Sequence, residues 1–315
     1  MAAIRTAGLT KRFGELTAVD ALSITVSRGE LFGLVGPDGA GKTTTMRLLA
    51  AIMDPSAGQA WVAGLDTVRQ AEAVKEKIGY MSQRFGLYPD LTVTENLEFY
   101  ADVYGVPRRQ RIEKAERLLA FSNLASFRKR LAGNLSGGMK QKLGLVCALI
   151  HAPEVLLLDE PTNGVDPVSR REFWRILYGL LREGVTIFVS TAYLDEAERC
   201  ARVGLIHKGR LVACGAPAEV KQLMRGAILE IRTAEARRAA GLLREGLGAP
   251  AGSVGLFGDR VHVVTGDPDA TAARAAKLLA DAGLADAAIR RIEPSLEDVL
   301  VSVIGREGEG GRAGS

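Results

Sequence analysis

Residues 36–44 read GPDGAGKTT and fit the pattern G-x-x-x-x-G-K-[ST] of a phosphate-binding loop. Each residue type there has a chemical use. Gly36, Gly39 and Gly41 let the backbone bend tightly, with Pro37, Asp38 and Ala40 between them, so that consecutive N–H groups face phosphate oxygens. Lys42 adds a point charge with the reach of β- and γ-phosphates, and the Thr43 hydroxyl suits Mg²⁺; Thr44 closes the motif. A second group of residues is VLLLDE, Val155 to Glu160, an aliphatic run ending in two acids. Burying an unpaired charge is costly, so packing alone gives no reason for acids in that place. Asp159 suits a Mg²⁺ shell, and Glu160, pointing differently, can hold a water. In LSGGMKQ, Ser136 caps a helix, and Gly137 and Gly138 leave its first N–H groups uncovered. That makes a second anion site or, more plainly, an N-cap. Gln83 follows a short strand and has an amide oxygen free for a metal; its other reading is a polar loop residue. Phe13 precedes Gly36 by 23 residues and is either a platform for adenine stacking or a packing residue of a hairpin.

These residues need elements to position them. Leu31–Val35 reads as a buried strand feeding the loop, and Thr43–Ala51 as a helix whose positive dipole end points at the phosphates. Ala3–Leu9 and Leu16–Val26 read as antiparallel strands, with Phe13 on the turn between them. Gln59–Ala63 and Ile78–Met81 are short strands, and Val68–Glu76 is helical. Thr92–Tyr104 and Arg109–Phe121 form a helical insertion, and Thr92 with Glu95 has capping-box spacing. Val155 to Glu160 is a buried parallel strand whose acids lie at its C-terminal end, where α/β sheets place ligands. Asp166 lies in the loop PTNGVDP, and Pro167 suits the first position of a helix running to Leu181. Val185–Ser190 is another buried strand and Tyr193–Cys200 a helix; Val203–His207 and Arg210–Cys214 form a hairpin over Lys208-Gly209, followed by a helix over Pro217–Met224.

From about Ala227 the composition shifts toward Ala, Arg and Gly. Strands over Ile228–Arg232, Val254–Phe257, Val261–Thr265 and Ala288–Ile292, with helices over Thr233–Glu245 and Asp269–Ala282, give the order β-α-β-β-α-β of a small α+β domain. A last helix starts in Pro294–Leu300, and Gly305–Ser315 reads as a disordered tail. The expected division is therefore 1–226, 227–304 and 305–315, with the helical insertion at about 91–150.

Composition sets the class. With 47% hydrophobic and 25% charged residues the chain reads as an ordinary globular protein with ample core. No run reaches the ~18 apolar residues of a membrane span, and the N-terminus lacks the apolar stretch of a signal peptide. Cys147, Cys200 and Cys214 form no metal pattern and read as reduced, cytosolic thiols. The net charge of +4 is mild and permits an anionic membrane surface or nucleic acid without arguing for either; it is dispersed, which favours a solvated surface, and no nucleic-acid partner is expected. His151, His207 and His262 read as surface or strand polar residues.

Together the motifs resemble the ATP-binding subunits of ABC transporters, over about Ile4 to Gly226 and in that family's order. GPDGAGKTT is similar to Walker A, Gln83 to the Q-loop, LSGGMKQ to the signature, VLLLDE to Walker B and Gly164-Val-Asp166 to the D-loop. The C-terminal domain with PSLEDVL resembles the extension on cassettes that drive ABC-2-type exporters, in particular the first cassette of two-cassette ATPases. The resemblance implies an α/β, P-loop NTPase fold of the ABC-ATPase kind, with a mixed sheet core, an antiparallel β subdomain and a helical insertion, followed by the small α+β domain.

It also implies roles. Phe13 would stack on adenine, where the family more often has Tyr, and Gly36 to Thr44 would hold the triphosphate of ATP. Thr43, Gln83 and Asp159 would build the Mg²⁺ shell, and Glu160 would activate the attacking water. Ser136, Gly137, Gly138 and Met139 would face the γ-phosphate held by a second cassette, in a homodimer or heterodimer, with Asp166 at the seam. Two departures stand out: Asp38 stands where Asn is commoner, and Ala192 stands where the family has its switch histidine. The expected function is ATP hydrolysis powering an ABC-2 exporter of drugs, lipids, polysaccharides or other small molecules, slowed by Ala192. Its partners would be separate integral membrane permease subunits, and its place the cytoplasmic face of the cell membrane. A weakly hydrolysing regulatory cassette is the alternative. A soluble translation or repair ATPase of the same family is disfavoured, because the chain has neither a second cassette with a charged linker nor long coiled coils.

Overall fold

A computed structural model describes residues 1–83, 86–224, 226–248, 253–284 and 286–302. Contacts divide the chain into two units, Met1–Ala213 and Cys214–Ser315. That division falls earlier than the 226/227 boundary read from composition, because the shift in composition marks the first strand of the second sheet. The tail expected at 305–315 lies outside the described residues.

The elements of the first unit and the segment after it run β1 (Ala2–Phe13), β2 (Leu16–Leu22), β3 (Thr25–Ser27), β4 (Leu31–Val35), α1 (Lys42–Leu49), β5 (Ala57–Val62), β6 (Leu65–Asp66), α2 (Ala71–Lys77) and β7 (Ile78–Met81). Then follow α3 (Val93–Val103), α4 (Arg108–Phe121), α5 (Gly137–Leu149), β8 (Val155–Asp159), α6 (Pro167–Arg182), β9 (Thr186–Thr191), α7 (Leu194–Ala197), β10 (Arg202–His207), β11 (Arg210–Gly215) and α8 (Pro217–Gln222). Six strands form the central sheet in the order β11-β10-β4-β9-β8-β7. The pairs β10–β4, β4–β9, β9–β8 and β8–β7 are parallel. Every residue of β4, β8 and β9 is buried, which is why these strands read as near-continuous apolar runs. Residues 36–44 follow β4, Gln83 follows β7, Glu160 follows β8 and Ala192 follows β9. The functional candidates thus gather at the C-terminal edge of adjacent parallel strands, where such sheets bind ligands.

A second, antiparallel sheet has the order β2-β1-β5-β6, with β3 also on β1. Phe13 is not on a turn: β1 runs on past Leu9 through three further pairs and ends on Phe13, paired with Leu16. The single strand expected over Leu16–Val26 is broken, because Ala21 adopts φ 49° and the Thr6 hydroxyl bonds the Leu22 carbonyl and the Ile24 N–H across the break. The helical insertion has its own core, with Val93, Leu97, Leu119, Leu143 and Val146 among its buried residues. The capping box at its start is present: Thr92 accepts from the Glu95 N–H at 3.2 Å and donates its own N–H to Glu95 at 2.7 Å.

The second unit contains β12 (Ala227–Arg232), α9 (Ala236–Gly246), β13 (Val254–Phe257), β14 (Arg260–Thr265), α10 (Pro268–Asp281) and β15 (Ala288–Ile292), and residues 296–302 are helical. The strand order is β13-β14-β12-β15, all pairs antiparallel, the split β-α-β arrangement. Leu229 and Ile231 pack with α9 and α10. Glu230, between them, points to the other face, where it is register partner to His262 and Arg290. Among the described residues no helix is long and apolar enough to cross a membrane.

Candidate active site

The phosphate-binding loop is held shut on itself. Lys42 is 4% exposed, and its Nζ donates to the carbonyls of Gly36 at 2.8 Å and Pro37 at 3.0 Å. It also pairs with Glu160 Oε1 at 3.0 Å and approaches Asp38 at 4.0 Å. Two glycines are demanded by contact. A Cβ on Gly36 would lie 2.2 Å from the Ile206 carbonyl, and one on Gly41, at φ 104°, 2.3 Å from that of Ala18. Gly41 is the N-cap of α1 and has no side chain to occupy the first N–H groups, so they stay open to an anion.

The two acids behave differently. Asp159 is fully buried at the end of β8; its Oδ1 accepts from Ser190 Oγ at 2.6 Å and from Thr43 Oγ1 at 3.2 Å. Its Oδ2 is buried with no hydrogen-bond partner. Burial pushes its carboxyl above the ordinary value; the bonds from Ser190 and Thr43 oppose this, and Glu160 adds to it. Glu160 takes a left-handed backbone, φ 49°, where its N–H bonds the Ser190 carbonyl and hydroxyl, each at 3.1 Å. This turn swings its side chain away from that of Asp159. Glu160 Oε2 accepts from Gln83 Nε2 at 3.0 Å and Asn163 Nδ2 at 3.3 Å.

A cleft of about 680 Å³ brings Phe13, Asp38, Gly39, Gly41, Lys42, Thr43, Thr44, Gln83 and Glu160 together, along with Leu16, Thr17, Ala18 and Lys208. Phe13 is 47% exposed there, with the Lys11 ammonium 5.3 Å from its ring centroid. Ala192 lines an adjoining pocket of about 200 Å³ with Asp38, Glu160, Asn163 and Tyr193. The residues Ser136–Met139 and Asp166 line neither space. Ser136 accepts from the Met139 N–H at 3.3 Å as the N-cap of α5. Gly137 is open, whereas a Cβ on Gly138 would lie 2.4 Å from that of Ser169 on α6. Asp166 caps α6, and its bonds from Ser169 and Val168 hold its carboxyl below the ordinary value.

A buried carboxylate oxygen without a partner, beside a hydroxyl, is what an oxygen-seeking cation completes. Thr43, Gln83 and Asp159 therefore fit Mg²⁺; Gln83 spends its amide nitrogen on Glu160, so its oxygen lies outside that bond. The histidines lie elsewhere. His151 stacks on Tyr104, its centroid 3.8 Å away, and His207 ends β10 with both ring nitrogens buried and unbonded. His262 is a buried polar residue on strand β14 of the second unit, with Nδ1 2.7 Å from Asp298.

Sequence reasoning missed Ser190, Asn163 and Tyr193. Ser190 could have been found from the pairing of β9 beside β8, which sets Asp159 opposite Ser190. Asn163 and Tyr193 carry no signal of their own, since their roles depend on where two loops meet.

Known proteins place this geometry. The family model "ABC transporter" matches residues 19–163. The probable multidrug ABC transporter ATP-binding protein YbhF of Escherichia coli is 44% identical over 308 residues; the match takes in 96% of this chain but spans about half, 52%, of that protein's length. The daunorubicin resistance ATP-binding protein DrrA2 of Streptomyces coeruleorubidus is 36% identical over 98% of this chain and 96% of its own. A solved ATP binding subunit of an ABC transporter is 27% identical, covers 70% of this chain and 92% of its own, and superposes with a TM-score of 0.64. The chain belongs to the family of ABC transporter ATP-binding proteins. Its first unit has the P-loop ATP-binding-cassette fold expected from the motifs.

Proposed function

We propose that this chain binds and hydrolyses ATP and thereby powers an ABC-2-type exporter of drugs, lipids, polysaccharides or other small molecules. The observation that carries this reading is the set Lys42, Thr43 and Glu160 facing one cleft with Phe13, with the buried Asp159 joined to it through the Thr43 hydroxyl. Adenine stacks on Phe13, and the triphosphate lies along Gly36 to Thr44, over the open N–H groups of α1. Lys42 then exchanges its bonds to the Gly36 and Pro37 carbonyls and to Glu160 for bonds to phosphate. That exchange frees Glu160 Oε1 to accept a proton from the attacking water. Thr43, Gln83 and Asp159 would hold Mg²⁺, which would supply charge neutralisation on the phosphate oxygens.

Ser136–Met139 and Asp166 lie outside the cleft, and that supports a sandwich with a second cassette, homodimeric or heterodimeric, in which they serve the partner's γ-phosphate. Separate permease subunits of the membrane receive the motion, with this chain on the cytoplasmic face. Cargo selection belongs to those subunits.

Ala192 shapes the rate. Its methyl leaves the pocket beside Glu160 without an imidazole donor. Phosphoryl transfer depends on positioning and charge stabilisation. A missing preorganised donor costs roughly 10²–10³ in rate. Affinity changes far less, because Lys42, the loop N–H groups and the cation carry most of the phosphate charge. Turnover is therefore slow in the isolated chain, and a partner cassette with its own histidine would supply most of it. The same feature supports the second reading, a regulatory cassette that barely hydrolyses. The test is steady-state phosphate release. Ala192→His raises kcat at least about tenfold with KM little changed. Turnover of tens per second in the native chain, with nothing gained from Ala192→His, would refute the slow-site reading.

A further inference from the structure

The loop after β9 lacks its imidazole but is not left loose. Tyr193, the next residue, donates its hydroxyl to Asn163 Oδ1 at 3.3 Å. That bond turns the Asn163 amide so that its Nδ2 faces Glu160 Oε2, at 3.3 Å. The Tyr193 ring lies under the Arg170 guanidinium, 4.5 Å from its centroid. Arg170 is fixed in turn by Glu196 at 2.9 Å and Asp195 at 3.2 Å. Glu196 is 1% exposed and also accepts from Thr162 and Thr191, the residues that bracket this pocket. The phenol is therefore anchored through its ring and free to use its hydroxyl. The pocket's ionisable lining is Asp38, Glu160 and the phenol itself, with no cation among them. Lys42 pairs with Glu160 Oε1, and the donors on Oε2 are the neutral amides of Asn163 and Gln83.

We infer that Tyr193, acting through Asn163, is a positioning residue for Glu160 and takes over part of the work of the imidazole missing at Ala192. This rests on the reading that ATP is hydrolysed in this cleft. Before nucleotide arrives, Lys42 holds Oε1 while Gln83 and Asn163 hold Oε2. When phosphate draws Lys42 away, the Oε2 contacts remain. They fix the carboxylate plane, so that Oε1 stays aimed at the water. Because the phenol and the amide are neutral, the relay adds no charge beside the γ-phosphate.

The experiment is ATP turnover by the full chain, with Glu160→Gln as the background control. Tyr193→Phe keeps the ring under Arg170 and removes only the hydroxyl. Its kcat falls about fivefold, the value of one ordinary hydrogen bond, while KM, nucleotide affinity and thermal midpoint hold. Asn163→Ala loses at least as much. The double variant loses no more than Asn163→Ala alone, because the two residues act in series. In an Ala192→His background the effect of Tyr193→Phe shrinks below about twofold, since the imidazole now does the positioning. An unchanged kcat for Tyr193→Phe, or losses that multiply in the double variant, would overturn the inference while leaving hydrolysis at Glu160 intact. Native turnover no higher than that of Glu160→Gln would overturn both.

Discussion

Two of the acids that the chain buries, Asp159 in the first unit and Glu230 in the second, are built in opposite ways. Glu230 lies on β12 at the heart of the second unit's sheet, under Arg232, Arg260 and Arg290, with contacts of 2.7–3.1 Å. Burial works to raise its carboxyl, but the bonds from Arg290, Arg232 and Arg260 outweigh it and hold the group down, to about 2. Asp159 has no arginine. Its burial wins, its carboxyl is pushed up, and one oxygen has no partner. A carboxylate whose bonds are complete serves structure; one left short of a bond, at a strand end beside a phosphate-binding loop, is what the cation site proposed here requires.

That contrast can be attacked from both sides. The largest effect belongs to the cleft. Lys42→Ala weakens nucleotide binding at least about a hundredfold, as expected when one partner of a buried, hydrogen-bonded charge pair is truncated. Titration calorimetry reads it, and unchanged affinity would mean that the nucleotide binds elsewhere. Next is Glu230→Gln, which leaves three arginines facing one another. We expect a loss of about 2 kcal/mol in unfolding of the second unit, below the ~3–5 of a fully buried pair because the arginines reach solvent. Asp159→Asn goes the other way. Removing a charge that burial disfavours raises stability by about 1 kcal/mol while abolishing cation-dependent turnover, the usual trade at a functional site. A fall in thermal midpoint for Asp159→Asn would show that its carboxylate is structurally satisfied after all.

The smallest effect is acid sensitivity. Glu230 has a depressed value in the fold, so the stability it contributes is present above the ordinary glutamate value of 4.5 and is lost as pH falls toward about 2. Asp159 works with the opposite sign: its raised value makes the folded state keep its proton longer, so acid relieves its cost. Melting curves between pH 5 and 2.5 on the native chain and on Glu230→Gln separate the two, because the variant loses the share of the slope that Glu230 contributes.

How far the sequence alone reaches follows from the same physics. β4 was legible to the residue because a strand buried on both faces needs an apolar run. The phosphate-binding loop was legible because its chemistry is local, all of it within nine residues. Boundaries set by side chains were not. The helix expected from Val68 begins at Ala71, because Asp66 Oδ1 takes the N–H groups of Val68 and Arg69 into a turn first. The one expected over Tyr193–Cys200 shrinks to Leu194–Ala197, since the Tyr193 N–H bonds the Thr191 hydroxyl instead of entering a helix. The side chains that touch the two acids were hidden for a related reason. Ser190 meets Asp159, and Tyr193 meets Asn163, only once β8 and β9 are side by side.

Cation-dependent phosphate release from ATP, compared between the native chain and Glu160→Gln, tests the central claim most directly. Nucleotide affinity is measured on the same samples. The native chain should turn over slowly, and Glu160→Gln should bind ATP as well and lose at least about a hundredfold in turnover, as removal of a general base requires. Equal rates in the two proteins, at equal affinity, would contradict the assignment of Glu160 and with it the account of this cleft.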